Sequence, residues 1–271
     1  MKPKRWQKIL AFSIIGVALL FVYAPIFLLI LYSFTDSSGG EWSGFGFSAY
    51  AEMFEDGDLL RAALNTLILG VASAFIATVI GVFTAIGIFN IKNKWARTAV
   101  SGANQITVVN ADIVTGVSFM MLFVVLRNIG LNISRGWFTL IVSHVMITVP
   151  YVIMAVMPRL RQLNPNIYEA ALDLGATPFQ ATVKVLLPQL LGAAIAGFAL
   201  AFTLSLDDFV ITRYNSGGSL QTISTYLYAM VIKHGILNSF RALSTLLFIL
   251  ILGILILINV KSKPKHIKSK K

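Results

Sequence analysis

The chain has 271 residues, of which 57% are hydrophobic and 12% are charged, and it contains no cysteine. This composition is typical of a polytopic membrane protein and excludes an ordinary soluble domain. Without cysteine there is neither a disulfide framework nor a thiolate metal site.

Six apolar runs are long enough to span a bilayer, and they predict an all-α membrane fold with six transmembrane helices. The first run follows a basic N-terminus but is too long for a cleaved signal peptide, so we expect it to be retained. We expect residues 1–60 to hold the first helix and an external loop, 61–261 a five-helix core, and 262–271 a basic tail. The runs are Ile9–Tyr32, Ala62–Ile91, Thr98–Leu126, Gly136–Pro158, Val185–Leu206 and Ala242–Val260.

The basic residues predict the orientation, because cytoplasmic loops of membrane proteins are enriched in Lys and Arg. With the N-terminus inside, all but six of the 22 Lys and Arg residues fall in cytoplasmic segments. We therefore expect both termini to be cytoplasmic. The net charge of +11 is explained by this topology, so nucleic acid is not an expected partner, whereas anionic lipid headgroups are.

The loop between the fourth and fifth predicted spans, 159–184, predicts two helices that meet at a sharp bend. The Asn164-Pro165 pair is a favourable helix start. Gly175 stands where a left-handed residue would end that helix, and Thr177-Pro178 would begin the next one. The apolar residues of the first helix recur on one face, at Ile167, Ala170, Ala171 and Leu174.

The spacing of this loop resembles the "EAA" loop of ATP-binding-cassette (ABC) importer permeases. The matching positions are Glu169-Ala170-Ala171, Gly175 six residues after Glu169, Val185, and Leu187-Pro188. In that family the loop sits in a groove of the ATPase subunit. The resemblance implies the type I ABC importer permease fold, a multi-pass protein of the bacterial inner membrane; the alternative is an ordinary amphipathic connector. The implied ATPase-coupling residues are Tyr168, Glu169, Ala170, Ala171, Leu174 and Gly175.

Two further stretches narrow the resemblance to the second permease subunit of bacterial spermidine/putrescine importers. They are NADIVTGVSFMMLF (Asn110–Phe123) and FTLSLDDFVITRYNSG (Phe202–Gly217). Ala111 stands where that family usually has proline, so we expect a softened kink in the third span. Related permeases for thiamine, phosphonate or ferric ion share most of the pattern, so the solute stays open at this point.

The resemblance also implies the partners. They are a homodimer of an ATP-binding subunit that holds ATP and magnesium, a second homologous permease that makes a heterodimer, an extracellular substrate-binding protein, and membrane lipid. The chain itself has no Gly-xxxx-Gly-Lys-Ser/Thr loop, so we expect it to bind no cofactor and to be no enzyme. An ion-driven secondary transporter is a second interpretation, but it would need inverted repeats and several ionisable residues within the membrane.

Three acids are candidates for a cationic substrate pathway. Asp207 and Asp208 fall at the outer end of the fifth span, and Asp112 is the only charge inside the third apolar run. Carboxylates in such places usually face a bundle interior or a water-filled cavity. For the pair, the alternative is a helix end that reaches the surface. For Asp112, it is a buried carboxyl bonded to helix backbone across a bend.

Two other features are predicted to be structural. His144 in the fourth span has no second potential ligand nearby in sequence, so we expect a hydrogen-bonded core residue and no metal site. The external segment STYLYAMVIKHGI, which begins at Ser224, is too short to span the membrane, and we expect a helix there.

Overall fold

The computed structural model describes residues 5–35, 42–131, 133–164, 166–218, 220–234 and 238–261, and within them it is almost entirely helical. An isolated antiparallel bridge joins Thr35 to Phe45. The α-helices of the described residues are α1 Arg5–Tyr32, α2 Ser48–Glu55, α3 Gly57–Phe89, α4 Lys94–Val109, α5 Asp112–Asn128, α6 Trp137–Gln162, α7 Asn166–Asp173, α8 Pro178–Ala181, α9 Leu187–Asp207, α10 Val210–Asn215, α11 Ile223–His234 and α12 Asn238–Lys261.

The all-α membrane fold is confirmed, and four of the predicted spans appear as long apolar helices. They are Leu10–Tyr32, Gly57–Asn90, Trp137–Gln162 and Pro178–Asp207. The predicted sixth span lies in α12, whose residues Asn238–Gly253 form a shorter apolar helix. The helix predicted in the segment that begins at Ser224 is confirmed as α11, and its external location stays a prediction. The basic tail 262–271 lies outside the described residues.

The third predicted span, Thr98–Leu126, is not one continuous helix. It consists of α4 and α5, which are bent by 105° at a short break. The cause lies in Asn110 and Ala111, whose ψ angles of 144° and 133° are those of extended backbone. Two consecutive extended residues interrupt the helical hydrogen bonds. The expectation that Ala111 would soften the kink is therefore wrong, because the bend is sharp although no proline is present.

The buried core of the central helices is formed by α3, α6 and α9. Small residues on α3, such as Ala74, Ala77 and Ala85, are fully buried against Val152 and Val156 of α6 and Ala201 of α9. Small side chains allow helix backbones to approach closely, which is the usual basis of helix association in membranes. This packing holds α6 and α9 together beside the candidate site, which lies at the end of α9 and near the middle of α6.

The contacts divide the chain into two compact units, Met1–Leu60 with Leu227–Leu257 and Arg61–Tyr226 with Ile258–Lys271. In the first unit, aromatic residues after α1 pack on one another: Trp42 lies 6.1 Å from Tyr32 and 5.0 Å from Phe45 between ring centroids. The candidate functional residues all belong to the second unit. The predicted grouping of residues 61–261 as one core stays a prediction.

Candidate functional site

Asp112, Asp207 and Asp208 are brought together by the fold, although 95 residues separate the first from the second in sequence. All three line one cavity of about 230 Å³. It lies where the break between α4 and α5 meets the end of α9 and the start of α10. The remaining lining residues are Thr107, Val108, Asn110, Thr115, Ile147, Tyr151, Leu204, Phe209 and Val210.

The buried side-chain amide of Asn215 joins α10 to the α5 wall of the cavity by a hydrogen bond. Asn215 Nδ2 donates to the Gly116 carbonyl at 3.3 Å and to the Ile211 carbonyl at 3.0 Å. On the α4 side, Asn110 Nδ2 donates to Thr115 Oγ1 at 3.0 Å across the break. The bend and the short helix α10 are therefore held in place by side-chain hydrogen bonds.

Asp112 is not buried, in contrast to what its central place in an apolar run suggested. It is exposed and is the first residue of α5. The break in the third span creates this helix start, and a negative charge is favourable there because helix N-termini carry partial positive charge. Within the described part of the chain, no hydrogen bond or ion pair engages its carboxylate, so it is available to a ligand in the cavity.

Asp207 and Asp208 are adjacent but have different surroundings. Asp207 is exposed and, among the residues that the structure describes, forms no hydrogen bond or ion pair. The Asp208 side chain is only 8% exposed. Its Oδ1 accepts from Ile211 N at 3.2 Å, and its Oδ2 accepts from Thr212 N at 2.8 Å and from Thr212 Oγ1 at 2.9 Å. Asp208 thus holds the start of α10, whereas Asp207 presents a free carboxylate to the cavity.

His144 is completely buried, and both of its ring nitrogens have hydrogen-bond partners, as predicted for a satisfied core residue. Nδ1 lies 2.7 Å from Ser205 Oγ, and Nε2 lies 3.1 Å from Thr212 Oγ1. Nε2 is also 3.5 Å from Asp208 Oδ2. This proximity to the cavity was missed from the sequence. The available signal was a set of Ser and Thr residues in otherwise apolar helices.

The loop between α6 and α9 has the predicted local geometry. The helix α7 ends before Gly175, which has the left-handed φ of 85°. Gly175 N donates to Leu172 O at 2.9 Å and Ala176 N to Ala171 O at 3.0 Å, which is the Schellman pattern. The start signal is also present, because Asn164 Oδ1 accepts from Asn166 N at 3.0 Å. Pro165 lies outside the described residues.

The second helix of the loop begins as predicted and then continues into the fifth span. Thr177 Oγ1 accepts from Gln180 N at 3.3 Å, and Gln180 Oε1 accepts from Thr177 N at 3.2 Å. This reciprocal capping box starts α8. A π-helical turn, Thr182–Leu186, joins α8 to α9. Short π-helical turns inside α-helices often occur at functional sites.

The residues predicted to couple to an ATPase do not all face the same way. Tyr168 and Glu169 line a second cavity of about 170 Å³ with the ends of α3 and α6. Ala170 and Gly175 are exposed, Ala171 is half-buried, and Leu174 is 89% exposed. Phe179, on the other side of Gly175, is 72% exposed. The bend therefore leaves two large apolar side chains, Leu174 and Phe179, exposed.

Comparisons with known proteins agree with this architecture. The family model of the binding-protein-dependent transport system inner membrane component matches residues 77–262. The chain is 34% identical over 247 residues to the spermidine/putrescine transport system permease protein PotC of Haemophilus influenzae, covering 91% of this chain and 93% of that protein. It is also 34% identical over 229 residues to the putrescine transport system permease protein PotI of Escherichia coli K12, covering 84% of this chain and 81% of that protein.

Solved structures show the same fold at lower sequence identity. A chain of a bacterial ABC transporter involved in the import of the acidic polysaccharide alginate is similar with a TM-score of 0.69 and 19% identity, covering 95% of this chain and 97% of that one. A chain of the MetNI methionine ABC transporter is similar with a TM-score of 0.56 and 20% identity, covering 75% of this chain and 92% of that one.

Proposed function

Because this chain belongs to the family of binding-protein-dependent transport system inner membrane components, we propose that it is the permease subunit of an ABC importer that carries polyamines into the cell. Spermidine and putrescine are the proposed solutes, since the relatives at 34% identity are named for them. The import is driven by ATP and proceeds by alternating access, in which the helices expose the cavity to one side of the membrane at a time.

The main support for this proposal is that Asp112, Asp207 and Asp208 line the same cavity. Polyamines are flexible chains with several ammonium groups, so their pathway needs carboxylates that attract each ammonium without trapping it. Two unit charges 4 Å apart interact by about 4 kcal/mol at an effective dielectric constant near 20, before the cost of desolvation. A few carboxylates therefore offset part of the cost of removing an amine from water.

The energy is supplied by a separate ATP-binding subunit, because this chain has no phosphate-binding loop. We propose that Leu174 and Phe179, exposed on either side of Gly175, insert into that subunit. Closure of the ATPase dimer then moves α7 and α8, and the continuous helix Pro178–Asp207 carries the motion to the carboxylates at its far end. ATP and magnesium belong to the partner in this scheme.

A second, homologous permease subunit completes the pathway. The α4–α5 face beside the cavity carries apolar side chains that are largely exposed, among them Ile106 at 72%, Val109 at 85% and Ile113 at 60%. Contiguous apolar surface of this kind is typical of contact with another membrane helix or with lipid. With both termini in the cytoplasm, the end of α9 faces outside, where a substrate-binding protein delivers the solute.

The proposal is tested by reconstituting the chain in proteoliposomes with its ATP-binding subunit, sister permease and binding protein. We expect uptake of spermidine or putrescine that requires ATP, and no uptake of thiamine, phosphonate or ferric ion under the same conditions. Uptake of one of those solutes in place of polyamines would contradict the polyamine assignment. Uptake driven by an ion gradient without the ATP-binding subunit would contradict the importer mechanism and favour a secondary transporter.

A further inference from the structure

A buried hydrogen-bond network extends from the cavity into the helix core. It consists of Asp208, Thr212, His144, Ser205 and Ser73, and it ends at the carbonyl of Leu69 on α3. Thr212, His144, Ser205 and Ser73 are each 2% exposed or less. The network therefore connects a carboxylate at the cavity with α10, α6, α9 and α3, and its inner side chains are shielded from the protein surface.

The five contacts of the network have short distances. Thr212 Oγ1 is 2.9 Å from Asp208 Oδ2, and His144 Nε2 is 3.1 Å from Thr212 Oγ1. His144 Nδ1 is 2.7 Å from Ser205 Oγ. Ser205 Oγ is 3.0 Å from Ser73 Oγ, which is 2.6 Å from the Leu69 carbonyl. Each contact is within hydrogen-bonding range, and hydrogen bonds at all five contacts at once would need five protons.

The side chains supply too few protons for five hydrogen bonds when His144 is neutral and Asp208 is ionised. Each hydroxyl supplies one proton and a neutral imidazole supplies one, which makes four protons for five contacts. A carbonyl stands at one end of the network and a carboxylate at the other, and neither supplies a proton. One additional proton satisfies every contact. That proton would be held either by the imidazole, beside an ionised carboxylate, or by the carboxyl group, beside a neutral imidazole.

In both arrangements the five side chains together carry no net charge, and loss of the additional proton leaves a charge of minus one next to the cavity. We propose that His144 is a positioning residue for the substrate pathway, because it shares one proton with Asp208 through Thr212 and so sets the charge that a cationic substrate meets. This inference rests on the proposed transport of polyamines. It adds that binding of the cation and release of this proton are thermodynamically linked.

The surroundings of His144 contain few other groups that could produce the same pH response. Asp112 of α5, Asp207 of α9 and Tyr151 of α6 line the cavity. Arg213 and Tyr214 lie on α10, and Arg213 is exposed. The titratable residues of α3 and α4 lie in the first two turns of those helices, at Asp58, Arg61, Lys94 and Arg97.

The sign of the effect follows from the charges. As the pH rises and the network loses its proton, the additional negative charge favours a bound cation, so the KM for spermidine falls. Linkage to one proton limits this change to about tenfold per pH unit. The maximal rate of the importer should change much less, because the network acts on the affinity for the cation.

The test measures spermidine uptake by the complete reconstituted importer over a range of pH, with equal pH on both sides of the membrane. Wild type should show a KM that falls with rising pH, and His144→Gln should show a flatter profile, because glutamine does not titrate. Asp207→Asn is the matched control: its KM should be higher but should keep the wild-type slope. Titration of spermidine and of the ATPase affects all variants equally and cancels in the comparison.

A second pair of variants addresses the link itself. Thr212→Val removes the hydroxyl between Asp208 and His144 and should flatten the profile, whereas Thr212→Ser should restore it. In addition, the ¹⁵N chemical shifts of labelled histidine in the purified protein report the charge of the ring without transport. We expect the His144 signal, identified by its loss in His144→Gln, to titrate at a different pH in Asp208→Asn.

The outcomes separate this inference from the proposed function. Parallel pH profiles in wild type and His144→Gln, or a His144 signal unaffected by Asp208→Asn, would overturn the shared proton while leaving polyamine import intact. Absence of spermidine and putrescine uptake by wild type at every pH would contradict the proposed function, and the histidine signal would then still decide whether the proton is shared.

Discussion

Gly81 of α3 lies directly against Val152 of α6, so that a Cβ atom at position 81 would come 2.7 Å from both Cβ and Cγ1 of Val152. Val152 is completely buried. A Cβ at Gly197 of α9 would lie 3.1 Å from the same Cγ1. One valine side chain therefore fills the space between three helices, and glycine on two of them makes that space available.

We predict that Gly81→Ala destabilises the protein by about 1–3 kcal/mol, because the additional methyl group must displace Val152 or separate α3 from α6. Gly87→Ala, almost two turns later on α3, is the matched control, since a Cβ atom at position 87 would have nothing within 4 Å. The measurement is thermal unfolding of the purified variants in the same detergent. Equal unfolding midpoints for Gly81→Ala and Gly87→Ala would show that α3 and α6 accommodate the additional methyl group without a loss of stability.

A second prediction concerns the bend between α7 and α8. Gly175 has a φ of 85° and open space around it, so a substitution there acts on the backbone alone. We expect Gly175→Val to reach the membrane at normal level but to lose substrate-stimulated ATPase activity with its partners. The left-handed conformation costs a residue with a side chain roughly 1–2 kcal/mol, and the bend would point elsewhere.

The control for this prediction is Gly175→Asn, because asparagine tolerates left-handed backbone better than other residues with side chains. It should retain most of the ATPase stimulation. Wild-type stimulation in Gly175→Val would show that the bend does not transmit ATP use. Equal loss in both variants would instead indicate that the partner requires glycine itself at this position.

The bend between α7 and α8 is predictable from the sequence because the residues that form it are close together in the chain. The left-handed glycine and the capping box of Thr177 and Gln180 depend on residues within one helical turn, so the sequence contains all the information needed. The long apolar helices were predictable for a similar reason, since each satisfies its own backbone hydrogen bonds within the membrane.

The features that were missed depend on partners far apart in sequence. His144 and Asp208 are 64 residues apart, and nothing in either segment alone indicates that they share Thr212. The sharpness of the bend at Asn110 and Ala111 was also missed, because neither glycine nor proline marks it and α10 holds the following helix through Asn215 and Gly116. That break is what converts Asp112 from a buried residue into an exposed one.

A third prediction concerns the orientation in the membrane, which follows from the basic residues alone. A tag at Gly39-Gly40 should react with a membrane-impermeant reagent in intact cells, and a tag after Lys271 should react only once the cells are opened. Both positions lie outside the described residues, so the prediction rests on the sequence. The opposite labelling pattern would place the α7–α8 bend outside the cell and contradict its proposed contact with an ATPase.

The fourth prediction separates the two adjacent acids at the cavity. Asp207→Asn removes a free charge and should lower polyamine uptake without changing the unfolding midpoint. Asp208→Asn should lower both, because its amide nitrogen replaces an oxygen that accepts hydrogen bonds at the start of α10. Asparagine keeps one of the two accepting oxygens, so the cost should stay below the roughly 0.5–2 kcal/mol that complete loss of such a helix cap causes.

Asp112→Asn should behave like Asp207→Asn, because Asp112 is also exposed and lines the same cavity.

Uptake is measured in proteoliposomes that contain all partner subunits, at equal protein, and unfolding is measured on the isolated chain. Each variant is nearly isosteric with wild type, so a change in side-chain size does not contribute to the difference. Unchanged spermidine and putrescine uptake in the Asp207→Asn/Asp208→Asn double variant would remove both residues from the pathway and weaken the polyamine assignment. A lowered unfolding midpoint in Asp207→Asn would show that this carboxylate also stabilises the fold and would contradict the predicted difference between the two acids.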